Sequence, residues 1–570
     1  MASTLPRLPI FGAIAGHDPQ STAVIHSKSG RRFTYGELLT DVAEAKERLR
    51  REAGSPNLAG ERIAFLVENS YDYVVTLLSI FATHSIALPL SPAFPVHELQ
   101  YILDQSESSM LLSSSKFEAK AQEVVKPGLV SNPKHVKLEK KMVGGAGGQI
   151  VFEGSTESDG GMMLYTSGTT NRPKGVLIPQ SALTAQAMSL KEAWNYTPDD
   201  HLLHVLPLHH IHGTVNAILT PLFAGSAIEF LFPFNAQAVW ERLAAPFLPD
   251  PKIKEPITFF TVVPTVYNRL LATHKDLSPE LQVAAKKGIL PENMRMGISG
   301  SAALPTPTKR AWSELSGGNI LLERYGMTEV GMALSCGLDF EDRVDASVGW
   351  PLPSVEARLV DTETNEVILV GEELDKDGRE RDGEIQLRGP TIFKEYWKNE
   401  KATREEFVEG DDGKGRWFKT GDIAVRRFVP CAGHSEQEWA RGPMYFIRGR
   451  KSADIIKTGG EKVSALEVER ELLSLPQVAE AAVVAVPSGK WGHKVGAIIV
   501  LNPEEKEKVG KKWSAMDMRR ALRDRLANYK IPQIMKLVDE IPKNAMGKVN
   551  KKLLVQQVFA DEHSDVEDVL

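Results

Sequence analysis

Cysteine is almost missing from this 570-residue chain: only Cys336 and Cys431 occur, far apart. That excludes a disulfide framework and a cysteine-based metal site. A strong charge of either sign is missing too. The formal net charge is −6, small for this length, and gives no reason to expect a nucleic acid or an anionic membrane as partner. No run of about 18 apolar residues occurs, which argues against a transmembrane span. Basic residues are scarce at the start. The stretch "MASTLPRLPIFGAIAG" holds Arg7 alone, and no acidic residue precedes Asp18. This weak targeting signal makes the cytoplasm the expected location and leaves mitochondrial delivery open. The C-terminal "EDVL" carries no peroxisomal or ER-retention signal, and no internal repeat is visible.

What is present is an ordinary globular composition, 42% apolar and 25% charged, in a chain too long for one hydrophobic core. From about residue 160, short apolar runs alternate with helical ones. "MMLY" (162–165), "LLHVL" (202–206), "AIEFLF" (227–232) and "ITFFTVV" (257–263) read as strands, and "SALTAQAMSLKEAW" (181–194) as a helix. Pro264 opens another helix at a favoured first-turn position. "ERIAFLVEN" followed by "SYDYVVTLLSIFATHS" repeats the alternation nearer the N-terminus. The pattern predicts an α/β architecture of mixed sheets flanked by helices. "GGAGGQ" (144–149), "VEGDDGKGR" (408–416) and "VPCAGHSEQEWARGP" (429–443) read as a flexible connector, a polar loop and an exposed excursion. A new pattern of helix, two strands and helix begins after Arg450. The expected units are residues 1–449, a small α+β unit at 450–560, and an acidic tail at 561–570.

"YTSGTTNRPKGV" (165–176) has the materials of a phosphate loop: Thr166, Ser167, Thr169 and Thr170 around Gly168, with Lys174 as a point charge. Backbone N–H groups and hydroxyls in such a loop can wrap a polyphosphate. The Walker A spacing fails, because Pro173 precedes the lysine and Gly175 follows it. In "ERYGMTEVGMALS" (323–335), Tyr325 offers an aromatic face and Glu329 a hard carboxylate suited to Mg²⁺, although a solvated helix start with a capping acid gives the same pattern. In "WFKTGD" (417–422), Asp422 follows Gly421 in an expected turn, where an Asp caps the turn or accepts ribose hydroxyls.

Together with "PLHHIHG" (207–213), "GSAALP" (300–305), "GEIQLRGP" (383–390), "RGRKSADIIKTGGEKVSALEVE" (448–469) and "IPKNAMGKVNKK" (541–552), these stretches resemble, in order, the motifs of adenylate-forming enzymes. That superfamily comprises acyl-CoA synthetases, peptide-synthetase adenylation domains and luciferases, and the resemblance covers about residues 30–555. It implies ATP, Mg²⁺, coenzyme A and a carboxylic acid as ligands. In the first half-reaction a carboxylate attacks the α-phosphorus of ATP; in the second a thiol displaces AMP after the small domain rotates. It assigns Lys548 and His210 to catalysis and Glu329 to catalysis and magnesium. It assigns Thr166–Thr170, Lys174, Ser301, Ala302, Tyr325, Gly326, Thr328, Asp422 and Arg450 to ATP or AMP. Gly459, Gly460 and Lys462 fall to the CoA channel, and Lys451–Asp454 to the hinge. Asn171 departs from the usual glycine but tolerates the left-handed conformation.

The wording is closest to malonyl-CoA synthetases. Arg269, in the second turn of the helix opened by Pro264, is the expected partner of a second carboxylate, since an arginine fork fits one with two parallel bonds. His210 and Met327 border the same pocket. The three histidines His209, His210 and His212 lack an accompanying Cys or carboxylate cluster and are not read as a metal site. Three other readings remain. A medium-chain or aromatic acid CoA ligase would leave Arg269 facing solvent. A free-standing adenylation enzyme would normally precede a carrier domain. A non-catalytic nucleotide binder would not require both Glu329 and Lys548.

Overall fold

The computed structural model describes residues 3–145, 148–166, 172–488, 492–503, 513–543 and 549–560. Ser167, Gly168, Thr169, Thr170 and Lys548 lie outside the described residues, as does the acidic tail.

The expected α/β alternation is present. A nine-stranded sheet has six adjacent parallel strands at its centre, in the order Leu322–Met327, Met296–Ser299, Phe259–Val262, His201–His204, Ala227–Phe230 and Thr22–His26. These strands are buried on both faces and read as apolar runs, as parallel strands do. A seven-stranded sheet includes the hairpin of Gly161–Thr166 with Lys174–Pro179. An antiparallel six-stranded sheet carries Arg416–Arg427 and Met444–Arg450.

Local sequence explains the helices that matter here. Thr34 and Glu37 form a reciprocal capping box at the start of Tyr35–Ala53, and Gly54 ends it in the left-handed conformation. The helix Pro264–His274 starts at proline as expected. It buries Val266, Tyr267 and Leu270 against Trp240 and Trp312. Its Tyr267 hydroxyl lies 3.2 Å from the carbonyls of both Phe260 and Ile298, within donating distance of either. The N-terminal stretch is built in as well: Pro9–Ala15 is a helix whose Ile10, Phe11 and Ile14 belong to the main core.

Between Arg450 and Ile455 the chain leaves the six-stranded sheet for a five-stranded one. The new sheet has a core of its own around Ile456, Val468, Leu472, Val483 and Ile499. Three loop readings change in detail. Residues 408–416 form the tip of a strand pair, with Asp412 on Arg388 at 2.7 Å. The 429–443 excursion is tied down by Gly433 N–H to Asp342 at 2.7 Å and by Gln437 to the Ala193 carbonyl at 2.8 Å. The glycine connector is anchored on both described sides, Gly145 donating to Asp41 and Gly148 to Thr40 at 3.3 Å each. Among the described residues no helix is long and apolar enough to cross a membrane.

Candidate active site

The parallel strands His201–His204, Phe259–Val262, Met296–Ser299 and Leu322–Met327 are neighbours and run the same way, so the segments that follow them meet at one sheet edge. Those segments are the histidine stretch, the helix bearing Arg269, the Gly300–Pro305 loop and the Thr328–Glu329 turn. Open α/β sheets bind ligands at this carboxyl edge.

Tyr325 and Asp422 make one corner. The Tyr325 hydroxyl donates to Asp422 Oδ2 at 2.5 Å, and Arg450 Nε lies 3.2 Å from Oδ1. Burial and the Asp422 charge push the phenol well above its usual range. Asp422 is not in a turn, as its sequence context suggested. It stands inside the long strand Arg416–Arg427, directly opposite Arg450. Gly421, with φ of 71°, supplies the local irregularity that imitates a turn in the sequence.

Glu329 and Lys174 make a second corner. "RYGMTEVG" is no helix start but a hairpin, Leu322–Met327 against Gly331–Ser335, with Thr328 and Glu329 at its turn. Gly326 has no room for a side chain: a Cβ there would come within 2.1 Å of the Gly331 carbonyl oxygen. Glu329 is buried, and its Oε1 accepts the Tyr396 hydroxyl at 2.9 Å. The Lys174 ammonium lies 4.2 Å from the centre of the same Tyr396 ring. Lys174 pairs across the hairpin with Thr166. One buried carboxylate with a hydroxyl on one oxygen fits a magnesium ion that takes its other ligands from phosphates and water. Among the described residues no cluster of three or more His, Cys, Asp or Glu could hold a metal alone.

The third corner was only partly legible. His210 precedes the short helix Ile211–Thr214, its ring centre 4.2 Å from that of His209. Burial, then the His210 charge, holds His209 down to about 3. His212 is buried deeper, with Nε2 on the Thr261 carbonyl at 3.3 Å and Nδ1 against the Arg324 guanidinium. This geometry suits a neutral imidazole that accepts from Arg324 and donates to Thr261. Arg324 is 3% exposed, lies 3.3 Å from the Ser301 hydroxyl, leaves its Nε without a partner and faces no carboxylate among the described residues. Burial lowers it to about 9. The bare Gly300 makes its space, since a Cβ there would lie 2.5 Å from the guanidinium. Ser301 holds a φ of 66° in the same loop, and Ala302 beside it is exposed. Such strain in a non-glycine residue persists where the surroundings over-determine it. Arg269 is placed differently from the expectation. It is exposed on the face opposite Val266, Tyr267 and Leu270, and no ion pair engages it among the described residues.

The expected channel residues Gly459 and Gly460 form the tight turn between Ile455–Thr458 and Glu461–Ser464, both at positive φ. Lys462 pairs with Glu363 at 2.9 Å on the large unit.

A large α/β unit whose candidate site residues gather at a parallel-sheet edge, joined by a short linker to a small α+β unit, is the build of adenylate-forming enzymes. The chain belongs to the AMP-binding enzyme family: that family's profile matches residues 11–397, and the AMP-binding enzyme C-terminal domain matches residues 467–548. It is 54% identical to a CoA ligase of Gibberella moniliformis, over 98% of this chain and 96% of that one. It is 37% identical to the human mitochondrial malonate–CoA ligase ACSF3, over 92% and 88%. The crystal structure of ATP-bound MatB from Rhodopseudomonas palustris superposes with a TM-score of 0.76 at 28% identity, over 98% and 99% of the chains.

Sequence reasoning assigned no role to Tyr396 or Arg324. The signal for Arg324 was a charge closing the buried apolar run "NILLER". Tyr396→Phe removes the hydroxyl that orients Glu329, and loss of such a supporting bond typically costs about 10- to 100-fold in metal affinity. The expected result is a rise of that size in the Mg²⁺ concentration giving half-maximal activity, with the order of preference among acids unchanged. A magnesium titration checks it, and an unaltered midpoint removes the metal role from Glu329.

Proposed function

We propose that the chain is an AMP-forming malonate–CoA ligase acting through malonyl-adenylate. The observation that carries the choice of acid is Arg324. A guanidinium buried without a carboxylate partner is costly, and a ligand that brings its own second carboxylate relieves that cost. A fatty or aromatic acid brings none. Relatives named malonate–CoA ligases point the same way.

In the proposed site, Asp422 and Arg450 hold the ribose, with adenine between the Tyr325 ring and the Ser301–Ala302 backbone. Gly326 and Thr328 close that side. Thr166–Thr170 and Lys174 hold the β- and γ-phosphates. Glu329 would hold a magnesium ion, which would supply positive charge against the phosphates. His210 and Met327 flank the reacting carboxylate, whose oxygen attacks the α-phosphorus while pyrophosphate leaves. Lys548 stabilises the charge that builds there. In the second half-reaction the CoA thiol attacks the carbonyl carbon along Gly459, Gly460 and Lys462, and AMP carries away the bonding pair. Arg324 grips the distal carboxylate, and Arg269 stands at the solvent side of the same edge. The rotating unit follows the Lys451–Asp454 linker. The cytoplasm is the proposed compartment. Cell fractionation checks this against mitochondrial delivery.

The test is pyrophosphate release with ATP, CoA and a panel of acetate, malonate, methylmalonate, succinate, octanoate and a cinnamate. Malonate is expected to give the highest kcat/KM. A higher value with octanoate or the cinnamate replaces this reading with the medium-chain or aromatic acid ligase.

A further inference from the structure

Lys551 opens the helix Lys551–Val558, three residues after the lysine assigned to adenylation. Its ammonium lies 2.5 Å from Asp454 Oδ1 and 2.7 Å from Glu469 Oε1, and the side chain is 13% exposed. The two carboxylates are anchored differently. Glu469 lies on the helix Ala465–Leu473 of the small unit and accepts the Val483 N–H at 2.7 Å, so its bond to Lys551 is internal to that unit. Asp454 lies in the linker where the chain changes sheet. Its Oδ2 accepts the Arg450 N–H at 3.0 Å, and its own N–H donates to the Arg450 carbonyl at 2.8 Å. Gly449 is bare because a Cβ there would come within 2.4 Å of the Asp454 side chain. Arg450 in turn reaches Asp422. An unbroken line of contacts thus runs from the Asp422–Arg450 pair through Asp454 to Lys551.

We propose that Lys551 is a positioning residue for adenylation: its bond to Asp454 locks the linker in the arrangement that presents Lys548 to the first half-reaction. The proposal rests on the acid–CoA ligase reading. Covalent geometry keeps residue 548 within about 11 Å of Lys551, at 3.8 Å per residue. Fixing Lys551 against the linker therefore limits where that ammonium can be. On this proposal, rotation about the linker changes the Asp454 bond, whereas the Glu469 bond, internal to the small unit, stays in place. The two bonds separate the functional contribution from the merely structural one.

The experiment measures the half-reactions separately on the full chain: malonate-dependent pyrophosphate exchange into ATP, and AMP release from supplied acyl-adenylate by CoA. Lys551→Met is expected to slow exchange by about 100-fold, the loss typical of a misplaced catalytic group, with AMP release within about threefold of wild type. Lys551→Arg keeps the charge and recovers part of the exchange. Asp454→Asn leaves the Lys551–Glu469 bond intact, so it reports on the linker bond even where Lys551→Met fails to fold. It is expected to slow exchange selectively as well. The double variant is expected to be no slower than the worse single one, since both remove one interaction. Parallel loss of both half-reactions, or an unchanged exchange rate, overturns the proposal. A wild-type enzyme with malonate-dependent exchange keeps the ligase reading standing whichever way the variants fall. A wild type without it overturns both.

Discussion

Arg324→Met is expected to lower kcat/KM for malonate by about 30- to 5,000-fold while leaving butyrate use equal or better. Removing the buried partner of a ligand charge typically costs about 2–5 kcal/mol, and about 1.4 kcal/mol is a factor of ten. The same variant is expected to be more stable to unfolding than the wild type when no substrate is bound. In the free protein the guanidinium is 3% exposed, meets a neutral imidazole and a hydroxyl, and keeps an unpartnered Nε. Replacing such a group by an apolar side chain of similar length removes a desolvation cost. A residue kept at a cost to stability is expected at a functional site. The comparison is kcat/KM for malonate against butyrate in both proteins, together with urea unfolding of both. A variant that loses stability and both activities together marks Arg324 as a structural prop, and the dicarboxylate reading then loses its main support.

Arg269→Ala is expected to act in the same direction and more weakly. An exposed guanidinium is screened by water, and exposed ion pairs contribute about 0–1 kcal/mol. A malonate effect larger at Arg269 than at Arg324 reverses the order proposed for the two arginines.

The parts legible in the sequence were those whose meaning is local. The helix start at Pro264 and the strand "MMLY" that leads to Thr166 follow from spacing and backbone preference alone. The exposure of Arg269 was missed, although the apolar Val266, Tyr267 and Leu270 mark the buried side of its helix. What was not legible depends on partners far along the chain. Tyr396 reaches Glu329 because residues 395–396 add a strand beside residues 176–177. No pattern near residue 396 announces this. Asp422 was misplaced in a turn because a glycine at positive φ has the same signature in a turn and in an irregular strand. Arg324 was quoted within a motif and passed over. Its significance is the absence of a carboxylate partner among the described residues, and a missing partner is visible only once the neighbours are in place.

Lys548→Ala is expected to slow malonyl-adenylate formation by about 100- to 1,000-fold, the usual loss for one preorganised charge stabiliser. Transfer from supplied adenylate to CoA is expected to continue near the wild-type rate. Lys548 itself lies outside the described residues, which resume at Val549. The segment that carries it leads into Lys551, which is held at the linker by Asp454. A lysine tethered at the linker serves only the step for which that linker arrangement exists. On the proposed mechanism, the ammonium leaves once the small unit turns, and the second half-reaction proceeds without it. Lys551→Met and Lys548→Ala therefore differ in kind. The first leaves the ammonium on the chain but lets it wander, so an enzyme with reduced exchange remains. The second removes the charge altogether and sets the floor. Placing Lys551→Met on top of Lys548→Ala is expected to cost little more, because there is no longer a charge to position. Pre-steady-state measurement of adenylate formed in one turnover, for both single variants and the double, checks this ordering. Adenylate formed at the wild-type rate by Lys548→Ala removes the role assigned to that lysine, and a further tenfold drop in the double variant shows that Lys551 acts by some route other than placing it.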